Sequence, residues 1–98
     1  MYLNIIKTYR DVIAICDAEL LGKVFEQGDF QLDVKESFFK GDIVSEEKAI
    51  KIMQDMIQED ATFNIIGEKS VSAALKSGII SEEVIKKIQG IPFALKLL

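Results

Sequence analysis

The chain has 98 residues, a net charge of −4, no histidine, no tryptophan and a single cysteine. Histidine is the usual general base at neutral pH and the commonest metal ligand, so its absence excludes Ser-His-Asp and Cys-His nucleophiles and a four-ligand zinc site. The length and the 49% apolar content are typical of one globular domain over residues 1–98.

The first quarter of the chain predicts a hairpin followed by a short turn. Continuous apolar runs at residues 2–7 and 12–16 indicate buried strands, and only a few residues separate them. Asp17 is then in position to cap a single helical turn that ends at Gly22.

A second extended region follows. Residues 23–26 lead into a turn, and residues 30–35 alternate between apolar and polar side chains, which predicts a strand with one buried and one exposed face. The adjacent aromatics Phe38 and Phe39 cannot both face the core from a strand, so we expect one of them at a sheet end or on the surface.

Three helices are predicted in the second half. Ser45 is a good N-cap and begins a helix over 45–59 with an apolar stripe. A short apolar strand over 62–66 leads into a helix over 68–77. A capped segment with acids first and lysines last predicts a third helix over 81–89.

Together these elements predict an α/β (α+β) fold. Its small mixed β-sheet, with an N-terminal hairpin meander, packs against two to three helices at about 45–59, 68–77 and 81–89. The apolar tail, residues 91–98, either docks as a final strand or is held by a partner. We favour docking, because such apolar termini are normally tied down.

The net charge conceals an uneven distribution. Residues 1–68 contain seven basic and fourteen acidic side chains, whereas residues 69–98 contain five basic and two acidic ones. This asymmetry fits either an ordinary solvated surface or a C-terminal third that meets an acidic partner or an RNA backbone. Direct binding to bare nucleic acid is disfavoured, because the acidic body would be repelled by phosphates.

Several residues are candidates for a functional site. Gly67 between a strand and a helix resembles the start of a phosphate-binding loop, but Glu68 directly after it would repel a phosphate. Cys16 lies in an apolar strand, which predicts a buried and unreactive thiol. An enzyme or small-molecule site built from carboxylates and lysine would draw on residues near predicted strand ends, namely Asp17, Glu19, Glu26, Asp29, Glu68 and Lys69.

A set of short motifs runs along nearly the whole chain. They are Gly22-Lys23-x-Phe25, Glu26-x-Gly28, Leu32-x-Val34, Phe38-Phe39-x-Gly41, Ser45-Glu46-Glu47, Asn64-Ile65-Ile66-Gly67-Glu68-x-Ser70-Val71 and Ile85-x-x-Ile88-x-Gly90-Ile91-Pro92-x-Ala94. With these motifs the sequence resembles the archaeal family of unknown function DUF424. The resemblance implies an archaeal cytoplasmic protein of α/β character with an expected connection to translation.

One position departs from the family pattern. The ending of relatives often reads Gly-Val-Pro-His-Ala-Gln, whereas this chain has Phe93 after Pro92. If the histidine serves catalysis or metal binding in the family, this chain lacks that function. If it serves packing or contact, Phe93 can substitute for it.

These observations favour a non-enzymatic binding module, with no catalytic residue, no metal and no cofactor. It would act as an accessory factor of the translation apparatus and dock on a protein or ribonucleoprotein through its basic and apolar C-terminal segment. The alternative is a small-molecule-binding protein or an enzyme based on carboxylates and lysine. We expect a cytoplasmic monomer or homodimer without a membrane segment. The predicted binding residues are Lys86, Lys87, Gly90, Ile91, Pro92, Phe93 and Lys96.

Overall fold

The computed structural model describes residues 1–97, and over that range it contains eight strands and three α-helices. Two 3-10 helices, Ala18–Leu20 and Glu82–Val84, add single turns. The elements in chain order are β1 (Tyr2–Ile6), β2 (Val12–Cys16), β3 (Val24–Gln27), β4 (Phe30–Asp33), α1 (Glu36–Phe39), β5 (Asp42–Ile43), α2 (Glu46–Ile57), β6 (Thr62–Ile66), α3 (Glu68–Ser77), β7 (Lys86–Ile88) and β8 (Ile91–Lys96).

Six strands form one mixed sheet in the order β5-β1-β2-β6-β8-β7, and β3 and β4 form a separate hairpin. Strands β2 and β6 run parallel, and the other neighbouring pairs are antiparallel. This architecture confirms the predicted α+β class, the N-terminal hairpin and the first two predicted helices. Among the helices of residues 1–97, none is both long enough and apolar enough to cross a membrane.

One face of the sheet packs against α2 and α3. Successive strand residues point to opposite faces, so Ile13 and Ile15 of β2 share this side with Phe63 and Ile65 of β6, and all four are buried. Ser45 begins α2 as predicted, because its Oγ accepts a hydrogen bond from the backbone N–H of Lys48 at 3.2 Å. We call this the helix-side core; its buried residues are Leu3, Ile13, Ile15, Val44, Ala49, Met53, Ala61, Phe63, Ile65, Val71, Ala73, Ala74, Ile79, Ile80 and Ala94.

The opposite face is covered in part by the β3–β4 hairpin and by α1. The two aromatics lie on α1 rather than in a strand: Phe39 is buried, and Phe38 is half-buried against the core on this side, with their rings 5.1 Å apart in an edge-to-face arrangement. We call this the hairpin-side core; its buried residues are Ala14, Cys16, Leu20, Leu32, Val34, Phe39, Ile66 and Ile88.

The predicted third helix over 81–89 is wrong. A 3-10 turn is followed directly by β7, which pairs with β8. Gln89 and Gly90 join the two strands with φ angles of 51° and 77°, and two consecutive positive φ angles are what a two-residue type I′ hairpin turn requires. The tail docks as β8 between β6 and β7. Residues 86–88 can therefore pair with β8 as a strand, and a short helix over 81–89 would lose this pairing.

Candidate functional site

All seven predicted binding residues lie in the β7–β8 hairpin. The hairpin turn is tied to the β3–β4 hairpin by two hydrogen bonds from Gln89. Its backbone N–H donates to Gln27 Oε1 at 2.8 Å, and its side-chain amide donates to the Glu26 carbonyl at 2.6 Å. The C-terminal segment is therefore a well-anchored part of the sheet.

The structure does not gather the three predicted lysines on one surface. Lys86 and Lys87 are consecutive residues of β7, so their side chains leave opposite faces of the sheet. Lys87 lies opposite Pro92, and Lys96 shares the face of Pro92 because it follows by four residues along β8. Lys86 thus stands apart from Lys87 and Lys96.

Lys86 instead borders an apolar groove. Val84 and Leu95 are 43% and 52% exposed, although both are large apolar side chains. The groove has a volume of about 490 Å³. Glu83, Val84, Lys86, Phe93, Ala94 and Leu95 line it, and we call it the C-terminal groove.

Phe93 forms part of the floor of this groove. It lies opposite Ile66 in β6 and packs, partly buried, against the hairpin-side core. Phe93 therefore has a packing role in this chain.

A second polar centre lies at the carboxyl ends of the parallel strands β2 and β6. Asp17 directly follows β2 and is 3% exposed. Its Oδ1 accepts hydrogen bonds from the backbone N–H and the Oγ of Ser70, both at 2.8 Å, and its Oδ2 accepts one from the backbone N–H of Lys69 at 3.1 Å. The Asp17 side chain therefore caps α3 from another part of the chain, and the prediction that it caps the 3-10 turn after β2 is wrong.

Gly67 makes this cap possible. Its φ of 110° is a conformation that side-chain-bearing residues rarely adopt, and a Cβ at this position would lie 2.3 Å from Asp17 Cγ. The carboxylate occupies the helix N-terminus, where an external anion would otherwise bind. The structure therefore gives no support to the resemblance of this turn to a phosphate-binding loop.

Cys16 is fully buried in the hairpin-side core, as predicted. Burial, with a further contribution from the neighbouring charge of Asp17, raises the pKa of its thiol from 9.0 to about 11. A thiol with that pKa carries almost no nucleophilic thiolate at neutral pH.

The structure brings together only some of the other candidate site residues. Glu19, Glu68 and Lys69 line a recess of about 200 Å³ beside Asp17. Glu26 and Asp29 lie instead on the β3–β4 hairpin and its turn. Within residues 1–97, no group of three or more His, Cys, Asp or Glu side chains is placed to hold a metal ion.

Sequence reasoning missed the bond between Asp17 and Ser70, which are 53 residues apart. A signal for it was present in the chain. An acid ends one parallel strand, and Gly-x-x-Ser follows the other, so the two ends meet at one edge of the sheet.

These features define a small α+β protein in which helices cover one face of a mixed sheet and a hairpin partly covers the other. The family model described as "Protein of unknown function (DUF424)" matches residues 6–97, so the chain belongs to the DUF424 family, as its motifs indicated. The structure is also similar to the crystal structure of an uncharacterized conserved protein from Methanopyrus kandleri. That similarity has a TM-score of 0.86 at 28% identity and covers 96% of this chain and 87% of the other. No curated protein matches the sequence.

Proposed function

We propose that this protein is a non-enzymatic binding module that docks on an acidic protein partner through the C-terminal groove. The observation that carries the proposal is the exposure of Val84 and Leu95 beside Lys86. Exposed apolar side chains rimmed by charge are typical of interaction sites.

The groove favours a partner with an apolar side chain and a carboxylate that lies at Lys86, away from Glu83, which also lines the groove. Val84, Phe93 and Leu95 offer apolar surface to such an anchor, and burial of apolar groups at the centre of an interface supplies most of the affinity. Lys86 is exposed, and the salt bridges within residues 1–97 do not involve it. Its charge is therefore available to steer an acidic partner into position.

The translation apparatus is the assembly that we propose as the source of this partner. The support is the expectation attached to the DUF424 family. The net charge of −4 disfavours bare nucleic acid, whose closely spaced phosphates this chain would repel, so we propose a protein partner that places its carboxylates locally at Lys86. The full use of the Asp17 carboxylate as a cap supports the non-enzymatic assignment.

Affinity capture with matched variants tests the proposal. Wild type, Leu95→Glu and Val24→Glu are immobilised, and the ribosome-containing fraction of an archaeal lysate is passed over each after nuclease treatment. Val24 is the control because its side chain is 51% exposed, almost the same as Leu95, but it lies on β3 outside the groove.

We expect wild type and Val24→Glu to retain the same ribosomal protein. Leu95→Glu should retain at least about tenfold less of it, which corresponds to a loss of about 1.4 kcal/mol in binding free energy. Equal retention by Leu95→Glu contradicts docking in the groove. Retention of no ribosomal protein by wild type contradicts the proposed partner.

A further inference from the structure

The second half of β1 has a free edge. Strand β5 pairs only with Tyr2 and Leu3, at the start of β1, whereas β1 continues to Ile6. On its other side β1 pairs with β2 along its whole length. Residues 4–6 therefore have a strand partner on one side only.

The register shows which backbone groups point to this free edge. The backbone N–H of Val44 donates to the Met1 carbonyl at 2.9 Å, so Met1 directs its backbone toward β5. The direction alternates along an antiparallel strand, so Leu3 and Ile5 face the same side as Met1. Leu3 pairs with Asp42, but Ile5 has no counterpart in β5. The backbone N–H and C=O of Ile5 are therefore available to another strand.

The chain that precedes β5 turns away from β1 at this point. The backbone N–H of Lys40 donates to the Glu36 carbonyl, which closes α1 instead of extending the sheet. Gly41 then crosses the edge of β1 so closely that a Cβ on it would collide with the Leu3 carbonyl oxygen. This crossing closes one end of the free stretch and leaves Ile5 without a neighbouring strand.

A groove of about 230 Å³ lies beside the free edge, between β1 and α2. Ile5 is 39% exposed although its side chain is large and apolar, and Ile52 of α2 is half-buried. Free backbone groups and an apolar surface thus lie side by side. We call this site the edge groove; its lining includes Leu3, Ile5, Asp42, Val44, Lys48 and Ile52.

The free half of β1 lacks the features that normally protect the edge of a sheet. Charged side chains, prolines and very short strands discourage pairing with another chain. The edge strand β7 follows this rule, because it has three residues and includes Lys86 and Lys87, and β5 has only two residues. The free residues of β1, in contrast, are Asn4, Ile5 and Ile6. This stretch therefore permits a pairing that the other edges discourage.

We propose that the edge groove binds an extended segment of a partner protein, which adds a strand to the sheet beside the second half of β1. The Ile5 N–H and C=O pair with the backbone of this segment. A residue directly opposite Ile5 has its side chain on the same face of the sheet, which is the face that α2 covers. An apolar side chain at that position fills the groove between Ile5 and Ile52. Strand addition generally combines main-chain hydrogen bonds with such a side-chain pocket.

The charges in the groove favour a segment that carries a carboxylate near this apolar side chain. Lys48 is exposed, and the salt bridges within residues 1–97 do not involve it. Asp42 lines the same groove from β5. The carboxylate therefore lies on the α2 side of the groove, at Lys48 and away from Asp42.

The dimensions of the site favour a single extended chain over a second folded copy. The free edge from Ile5 to Lys7 is only about 10 Å long, with α2 along one side and the Gly41 crossing at one end. A second copy would also bring a net charge of −4 close to the same charge on this one. The inference does not rest on the proposed function, because β1 and the C-terminal groove lie toward opposite edges of the sheet.

Peptide selection followed by nuclear magnetic resonance of the purified full chain tests the proposal. A phage-displayed library of random short peptides supplies the probe, and the tightest binder is synthesised with blocked ends. Ile5→Pro removes the free N–H but keeps the pairing with β2, because proline is tolerated on an edge strand where its nitrogen faces outward. Ile43→Pro is the matched control, since the backbone of Ile43 also faces away from β1.

Lys48→Glu tests the charge of the groove. This variant should fold, because Ser45 followed three residues later by glutamate forms a capping box at the start of α2. Lys23→Glu is its control, because it changes the net charge equally but is exposed outside the groove, directly before β3. A thermal melt of each variant establishes folding, and Lys48→Glu decides the outcome if Ile5→Pro unfolds.

We expect the selected peptides to share an apolar and an acidic residue, and the bound peptide to slow hydrogen exchange at the Ile5 amide. Ile5→Pro and Lys48→Glu should each weaken binding at least about tenfold, whereas Ile43→Pro and Lys23→Glu should match wild type.

The proposal is overturned if no peptide binds with a Kd below about 1 mM, or if a folded Ile5→Pro or Lys48→Glu variant binds as tightly as wild type. It is also overturned if the bound peptide protects other amides but not that of Ile5. Protection of the Ile5 amide without peptide, as the protein concentration rises, would assign the edge to a second copy of the chain and overturn it as well.

Discussion

Replacing Asp17 with alanine should be among the most damaging single changes in this protein. The substitution removes an acceptor from three donors, the backbone N–H groups of Lys69 and Ser70 and the Ser70 hydroxyl, at a side chain that is 3% exposed. Hydrogen bonds to a charged group contribute about 1.5–3 kcal/mol each, but they are not additive when they share one acceptor. Because buried donors are left without partners, we expect a loss of roughly 3–5 kcal/mol in the free energy of unfolding.

Urea denaturation followed by circular dichroism measures this loss. With a urea m-value of about 1–3 kcal/mol per M, the midpoint for Asp17→Ala should fall by at least about 1 M. Ser70→Ala is the graded control, because it removes only the hydroxyl donor and should cost about 1 kcal/mol.

Gly67→Ala gives a second route to the same contact. Its added Cβ would lie 2.3 Å from Asp17 Cγ, so the substitution should cost less in the Asp17→Ala background than in wild type. The reasoning is refuted if Asp17→Ala is no less stable than Ser70→Ala, or if the costs of Gly67→Ala and Asp17→Ala simply add.

Three further predictions concern the thiol, the last turn and the last strand. Burial raises the pKa of Cys16 to about 11, so a thiol reagent should label the native protein far more slowly than the urea-unfolded chain. Because the pKa in the folded state lies above the unfolded value of 9.0, this thiol favours folding fully below pH 9 and less as the pH rises through about 11. Cys16→Ala should therefore lose less stability than wild type between these pH values, and parallel curves would contradict the pKa shift. Gly90→Ala places a side chain at a φ of 77° and should cost about 1 kcal/mol, or roughly 4–8 °C in Tm; an unchanged Tm would argue against the type I′ turn. A chain that ends at Pro92 loses most of β8, which lies between β6 and β7, and should show no cooperative melt; a cooperative transition near that of wild type would show that β8 is dispensable.

Local patterns identified most of the elements in this fold. The apolar runs around Val12 and Thr62 and the capped stripe that begins at Ser45 each contain their own signal, because strand and helix periodicities differ. The segment over 81–89 lacked such a signal. Its acids, apolar residues and glycine fit a short helix locally, but pairing with β8 determined its structure, and a distant pairing partner is invisible in a local window.

The sequence identified the segment that contains the predicted binding residues, but it did not show which of their side chains share a surface. The sequence placed Lys86 and Lys87 together, and only the strand assignment separates them onto opposite faces. Val84 and Leu95 lie near the predicted residues but join Phe93 in one groove only through the pairing of β7 with β8. The Asp17 cap required contact between residues 53 positions apart, and its signal, an acid after one strand and Gly-x-x-Ser after another, can be interpreted only once the two strands are known to be parallel neighbours.

The most direct test of the docking proposal compares Lys86→Glu with Lys87→Glu. The two lysines are adjacent, both exposed and identical in charge, but only Lys86 lines the C-terminal groove. Affinity for the captured partner is measured by isothermal titration at several salt concentrations. Docking in the groove predicts that Lys86→Glu weakens binding and flattens its salt dependence, whereas Lys87→Glu matches wild type. Equal weakening by both variants, or by neither, would contradict it.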